Sequence, residues 1–277
     1  MEPEMMGLLP LIIDFFNNID VLMLILVRVS GFLIFLPILS SMNIPLQFRL
    51  FFAFVVSVAI FSSGNVTSAT YHDSPAGLIM LIIAELITGA LMGYALYFMF
   101  NVILFAGQLI DFSVGFSMVN VLDPIQQIQV PIMGNVMYLL ASALLIATGG
   151  LNELLKTFFY SYKAIPIGTA FILGNKDLAW YAMMAIGTFL LLAMRIALPV
   201  VGALLLVTVC LGIVVKASPQ MNVFVVGMPL KVFLGLILIS TVMLPSFNAI
   251  YEQVFNAAEL HMTNMLEGMA INGTASP

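Results

Sequence analysis

Apolar positions in this chain gather in long runs instead of alternating every second residue. Six runs approach or exceed the length of a bilayer crossing: Val21 to Ser40, Ile44 to Ser62, Leu78 to Ala106, Val130 to Ala147, Trp180 to Val215 and Val223 to Phe247. A hydrocarbon core about 30 Å thick takes about 20 helical residues to cross. Backbone amides in lipid must be satisfied within the segment, and no run shows the two-residue alternation of a barrel strand. The pattern therefore predicts an all-α fold.

Two runs overfill a single crossing, at 29 residues for Leu78 to Ala106 and 36 for Trp180 to Val215, the second with Pro199 near its middle. Proline lacks the N–H donor and clashes with the preceding turn, so this run is expected as a kinked helix or as two helices folded back into a hairpin. Pro37, Pro131, Pro229 and Pro245 interrupt other runs. Broken helices need protein or water-lined surroundings at the break, which favours an assembled structure over straight, lipid-facing rods.

Between the runs lie three connections. Gly64 to Gly77 is a polar loop by composition, and Lys216 to Asn222 is a short polar break. Gly107 to Pro131 differs from both. It is punctuated by Gly107, Asp111, Gly115 and Asp123-Pro124 yet carries Phe112, Phe116, Met118, Val119 and Leu122, so it is expected as a loop that packs into protein or lines a closed passage. After Phe247, the residues Ile250, Val254, Ala258, Met262, Met265 and Met269 recur at near-helical spacing, with Glu252, Glu259 and Glu267 mostly off that face. An amphipathic helix ending before Asn272 is expected there. The whole of residues 1–277 is read as one domain, with a central loop at 107–131 and a C-terminal helix and tail at 248–277.

Composition narrows the class. Hydrophobic residues make up 62% of the chain and charged residues 8%, against about 25% charged in a soluble domain. That excludes a disordered chain, a nucleic-acid binder and a soluble enzyme, and leaves a membrane protein. The net charge of -5 comes from 13 acids and 8 bases, too sparse for a polybasic patch. Cys210 stands alone, which removes an intrachain disulfide, and His72 and His261 lack ligand-like spacing, so no metal or other cofactor is expected. The acidic start, Met1-Glu2-Pro3-Glu4, argues against a cleaved signal peptide. The flanks hold too few Lys and Arg to fix the orientation, and Lys156, Lys163 and Lys176 only bias the connection between the fourth and fifth runs toward the cytoplasm.

Ionisable groups inside apolar runs cost several kcal/mol unless paired, which marks Arg28, Arg49, Glu85, Asp111, Arg195 and Lys231. They are expected to pair within the chain or with partner subunits, since two acids are too few for a proton relay. Gly89 and Gly93 form a Gly-x-x-x-Gly step, which lets helix backbones approach closely. The 20 methionines read as flexible gap fillers, not as a soft-metal site. No phosphate-binding glycine loop, Ser-His-Asp set or His-Glu-x-x-His helix is present, so no enzyme activity is expected. A polytopic small-molecule permease is the alternative class, but it would show paired halves with matched broken helices, and no such duplication is visible.

Local strings go further. Lys216-Ala-Ser-Pro219-Gln220-Met-Asn222-Val-Phe224-Val-Val-Gly227-Met-Pro229-Leu-Lys231-Val-Phe-Leu-Gly235 resembles the C-terminal signature of the FliR family of flagellar biosynthesis proteins. This is the export-gate family shared with the type III secretion injectisome, where its homologue is SctT. Arg28-Val-Ser-Gly31 followed by Pro37, Pro45 and Arg49 is similar to the family's N-terminal pattern. Gly107-x-x-x-Asp111, Gly115-Phe116-Ser117 and Asp123-Pro124 resemble its central loop.

The resemblance implies a structural subunit of the flagellar protein export gate, assembled with FliP and FliQ, joined by FlhB and FlhA, and passing unfolded polypeptide as cargo. It implies a place in the bacterial inner membrane at the flagellar basal body, in contact with lipid, with the core raised toward the periplasmic side. The central loop would be the pore plug, in which Phe112, Phe116, Met118 and Val119 keep a narrow lumen dry and Gly107 and Gly115 supply the freedom to swing aside.

Overall fold

The computed structural model describes residues 19–36, 44–63, 75–116, 131–168, 176–218, 220 and 222–271. Among these residues the regular structure is helical, with no strand. The elements in chain order are α1 (Ile19–Phe35), α2 (Leu46–Ser62), α3 (Pro75–Val114), α4 (Ile132–Ala147), α5 (Gly150–Ala164), α6 (Lys176–Ala217), α7 (Val223–Leu238), a π-helical turn (Ile239–Met243) and α8 (Leu244–Ile271).

Among the described residues, three helical stretches are long and apolar enough to cross a membrane: Ala76–Val114 and Ala179–Ala217, each 39 residues, and Val225–Met269, 45 residues. Helices α4 and α5 meet the same test as a pair, bent by 72° at their junction. Gly149 sits at that bend with φ of 72°, a conformation that costs an L side chain energy and a glycine little.

Four features differ from the sequence-based expectation. Residues 107–114, expected as the start of a loop, are the last two turns of α3. Gly107 does not break the helix because Ala106, Ile110 and Val114 continue its buried face on either side. Helix α6 is a single element of 42 residues with Pro199 inside it, so the hairpin alternative does not occur. Helix α5 lies where only a lysine-bearing connection was expected. Its Glu153, Lys156 and Lys163 dilute its hydropathy, while Leu154, Phe158 and Tyr162 form a buried stripe at helical spacing.

The fourth is the junction of α7 and α8, expected as the end of one helix and the start of another. It is a continuous rod widened at Ile239–Met243, where the Leu244 N–H donates to the Ile239 carbonyl five residues back. Pro245 supplies the reason, since it cannot donate to the Thr241 carbonyl and a wider turn absorbs the missing bond. Downstream, Val254, Ala258, Met262, Met265 and Met269 are buried and Glu252 and Glu267 are exposed.

The chain divides into two compact units. The first holds Met1–Tyr97, Asn152–Met184 and Glu259–Pro277, and the second Phe98–Leu151 and Ala185–Ala258. In the first, α1 packs against α2 and against the N-terminal half of α3. In the second, the C-terminal part of α3 packs against α4, and Gly235 of α7 lies against the Val114 side chain at the end of α3.

Candidate functional site

Two arrangements bring together residues that the sequence marks, one in each unit. In the first unit, Arg28 of α1 and Glu85 of α3 are both completely buried and form an ion pair, with Arg28 Nε donating to Glu85 Oε2 at 2.5 Å. The guanidinium also donates from Nη1 to the Ile165 carbonyl at 3.0 Å and the Ser161 carbonyl at 3.4 Å. These are carbonyls at the C-terminal end of α5, where a helix carries partial negative charge. The Tyr162 ring covers the cation at 4.5 Å. Glu85 Oε1 accepts the Gly168 N–H at 2.9 Å. One ion pair thus clamps the chain leaving α5 at two points, the Ile165 carbonyl and the Gly168 amide.

Close backbone approach makes this possible. A Cβ on Gly31 would come 2.5 Å from the Leu86 carbonyl oxygen, one on Gly89 would collide with the Arg28 carbonyl, and one on Gly93 with the Phe32 carbonyl. Gly31, Gly89 and Gly93 together form the seam on which α1 and α3 cross, and the seam sets Arg28 beside Glu85. Gly31 stands in the N-terminal pattern, but its role as a packing residue does not follow from it. Its spacing from Arg28 was visible, but nothing in sequence says which helix it faces. Phe32 stacks on Phe158 with ring centroids 4.3 Å apart and closes the apolar side of the cluster.

In the second unit, Asp111 near the end of α3 is 5% exposed. Its carboxylate accepts the Met133 N–H at 3.0 and 3.1 Å and the Gly134 N–H at 3.4 Å. Those are amides of the first turn of α4, which no residue of α4 can satisfy. The N-cap, Pro131, supplies no side-chain acceptor. Asp111 acts as the cap from a neighbouring helix, and its charge complements the positive helix end. Gly107, one turn earlier, lies directly against the Gly134 backbone.

Helix α3 then ends at Gly115, whose φ is 99° and around which a Cβ would meet nothing within 4 Å. The Gly115 and Phe116 amides both donate to the Asp111 carbonyl at 3.1 Å. Asp111 therefore uses its side chain to hold α4 and its main chain to close α3.

The other marked residues lie apart from these clusters. Phe112 is 76% exposed. Arg49 is part-buried on α2. Arg195 is exposed in the middle of α6, and Lys216 is exposed in its last turn. Gln220 and Asn222 are exposed, Gly227 is buried, Pro229 is exposed and Lys231 is part-buried in α7. Ser117, Met118, Val119, Asp123, Pro124 and Pro219 lie outside the described residues. No group of three or more His, Cys, Asp or Glu side chains that could hold a metal occurs among the described residues.

Long apolar helices, a broken helix pair and charges neutralised in the interior define a polytopic helical membrane protein. Residues 19–258 match the family described as bacterial export proteins, family 1. The chain belongs to that family. It is 32% identical over 256 residues to flagellar biosynthetic protein FliR of Bacillus subtilis, covering 92% of this chain and 96% of that one. It is 26% identical over 235 residues to flagellar biosynthetic protein FliR of Escherichia coli, covering 83% and 88% of the two chains. It is also 27% identical over 238 residues to the surface presentation of antigens protein SpaR of Shigella flexneri, covering 82% and 88%.

Proposed function

We propose that this chain is a structural subunit of the flagellar type III export gate, which forms and closes a channel for unfolded flagellar proteins in the bacterial inner membrane. The observation that carries the reading is the family match over residues 19–258, with the Bacillus subtilis flagellar biosynthetic protein FliR matched along 96% of its length. The helices add physical support. A 39-residue helix is about 58 Å long at 1.5 Å per residue, nearly twice the hydrocarbon thickness. Apolar faces of that length need protein as well as lipid to cover them, as an assembly with FliP-like and FliQ-like subunits, joined by FlhB and FlhA, would provide. The core of such an assembly would stand toward the periplasmic side.

Within this reading the plug begins at Gly115. Gly107 and Asp111 are its fixed footing, since both are held against the first turn of α4, and Gly115 is the pivot. Phe116, Ser117, Met118, Val119, Asp123 and Pro124 follow it in sequence, and their apolar members would keep the lumen dry. Phe112 is exposed beside the footing, where it would join the apolar members that keep the lumen dry.

The test is purification from mild detergent with the other gate subunits, followed by conductance in planar bilayers. Removing Phe116 to Val119 raises ion leak through the intact complex. Unchanged conductance in an intact complex refutes the plug, and a chain that travels alone and binds a small metabolite refutes the gate in favour of the permease.

A further inference from the structure

Arg195 is the midpoint of a stretch that ought to hold no charge. It lies in α6, and its side chain is on the exposed face. It makes no ion pair or hydrogen bond among the described residues. Exposed apolar side chains flank it from Trp180 to Val214. The span between them is 34 residues, about 51 Å of helix, against a hydrocarbon core of about 30 Å. About 20 Å of that face must therefore be covered by something other than lipid. Arg195 is 15 residues from one end and 19 from the other, so any placement of the bilayer leaves it inside the slab or beside the protein-covered remainder. An unpaired guanidinium is unfavourable in either position.

Its surroundings are polar in a specific way. Arg195 lines a groove of about 160 Å³ together with Ser246 and Gln253 of α8, over a floor that includes Met243 and Val200. Pro199, also in the groove, cannot donate to the Arg195 carbonyl. The groove therefore offers one cation, one hydroxyl and one amide in an otherwise apolar wall, with no acid among its lining residues. That is the complement of a single carboxylate on an apolar helix.

We propose that this groove receives a membrane helix of a different subunit of the export apparatus, which presents one Asp or Glu to Arg195 while Ser246 and Gln253 bond its second oxygen. The proposal rests on the assembly reading above and names one contact within it. A carboxylate suits the site better than a lipid phosphate because the apolar face of α6 continues on both sides of Arg195 for about 20 Å or more, which sets Arg195 well inside the apolar stretch and away from its ends, where headgroups would lie.

The experiment co-expresses the chain with the other membrane subunits of its apparatus and measures their recovery in mild detergent, with the membrane-inserted amount of the chain as the folding control. R195K keeps recovery within about twofold, whereas R195L and R195E reduce it about tenfold or more at unchanged insertion. Replacing one Asp or Glu by Lys in an apolar helix of the partner then restores the R195E complex. Wild-type recovery with R195E overturns the proposal. So does a fall in insertion that tracks the loss, which assigns Arg195 to its own chain. Loss of phosphatidylglycerol retention with the complex intact assigns it to lipid, and a carboxylate found on a second copy assigns it to self-association; both overturn the proposal. A wild-type chain that recovers no other subunit overturns the assembly reading itself, which separates the two failures.

Discussion

Replacing Arg28 by methionine, Glu85 by leucine, and both together tests whether the buried pair or its two charges separately hold the first unit. Neither side chain reaches solvent. Removing one partner leaves an uncompensated buried charge, which costs about 3–5 kcal/mol. The two single variants are not equivalent. Without Glu85, the guanidinium keeps the Ile165 carbonyl at 3.0 Å and the Tyr162 ring at 4.5 Å. Without Arg28, the partner left to Glu85 among the described residues is the Gly168 amide at 2.9 Å, and the Ile165 carbonyl loses its donor. R28M therefore falls near the upper end of the range and E85L near the lower.

At about 2–4 °C per kcal/mol for a chain of this size, R28M lowers the unfolding midpoint by about 10–20 °C and E85L by about 6–12 °C. The double variant replaces two charges by apolar side chains of similar volume and recovers most of the loss. The assay is thermal unfolding in mild detergent, followed by the fluorescence of Trp180, the single tryptophan. A midpoint for R28M within 2–3 °C of wild type, about 1 kcal/mol, would refute the clamp. A double variant as unstable as the sum of the singles would show that the two charges act independently.

Three further outcomes follow from the packing. Gly107→Ala lowers the unfolding midpoint because its Cβ meets the Gly134 backbone, while Gly212→Ala, where nothing lies within 4 Å, raises stability by about 0.5–1 kcal/mol through helix propensity. Asp111→Ala strips the cap from α4 and costs about 1–2 kcal/mol, read as faster hydrogen exchange at the Met133 and Gly134 amides with little change in α6. Gly115→Ala forces a side chain to a φ of 99° and costs about 1–2 kcal/mol, with Gly115→Asn milder because asparagine tolerates positive φ; equal midpoints for the two variants would contradict this.

The helical class and the main spans are legible in the sequence because lipid allows few other ways to satisfy the backbone. What escaped notice did so for identifiable reasons. Helix α5 is hidden from a hydropathy reading by Glu153, Lys156 and Lys163, although its buried stripe is periodic. Gly107 reads as a loop residue and is a packing residue, since composition cannot distinguish a glycine that bends from one that lets a neighbour approach. Arg28 and Glu85 are each conspicuous, but 57 residues separate them, and only the crossing at Gly31, Gly89 and Gly93 makes them partners. Asp111 is conspicuous too, and its attachment to the first turn of α4 depends on a contact 22 residues away.

The widened turn at Ile239–Met243 acts as an inserted residue within an otherwise regular spiral. Each residue advances a helix by about 100°. Excising Thr241 would remove the surplus residue and leave the faces beyond it in place, whereas drawing the turn into the regular pattern with no residue removed would spin everything beyond it by roughly that angle. Val254, Ala258 and Met262 would then point away from the interior they now fill, and the charged edge with Glu252 and Glu267 would turn toward it. Five residues with no charge among them thereby set the compass bearing of the longer, C-terminal part of the rod, and a change that tightened this turn at constant length would do more harm than the loss of one of its residues.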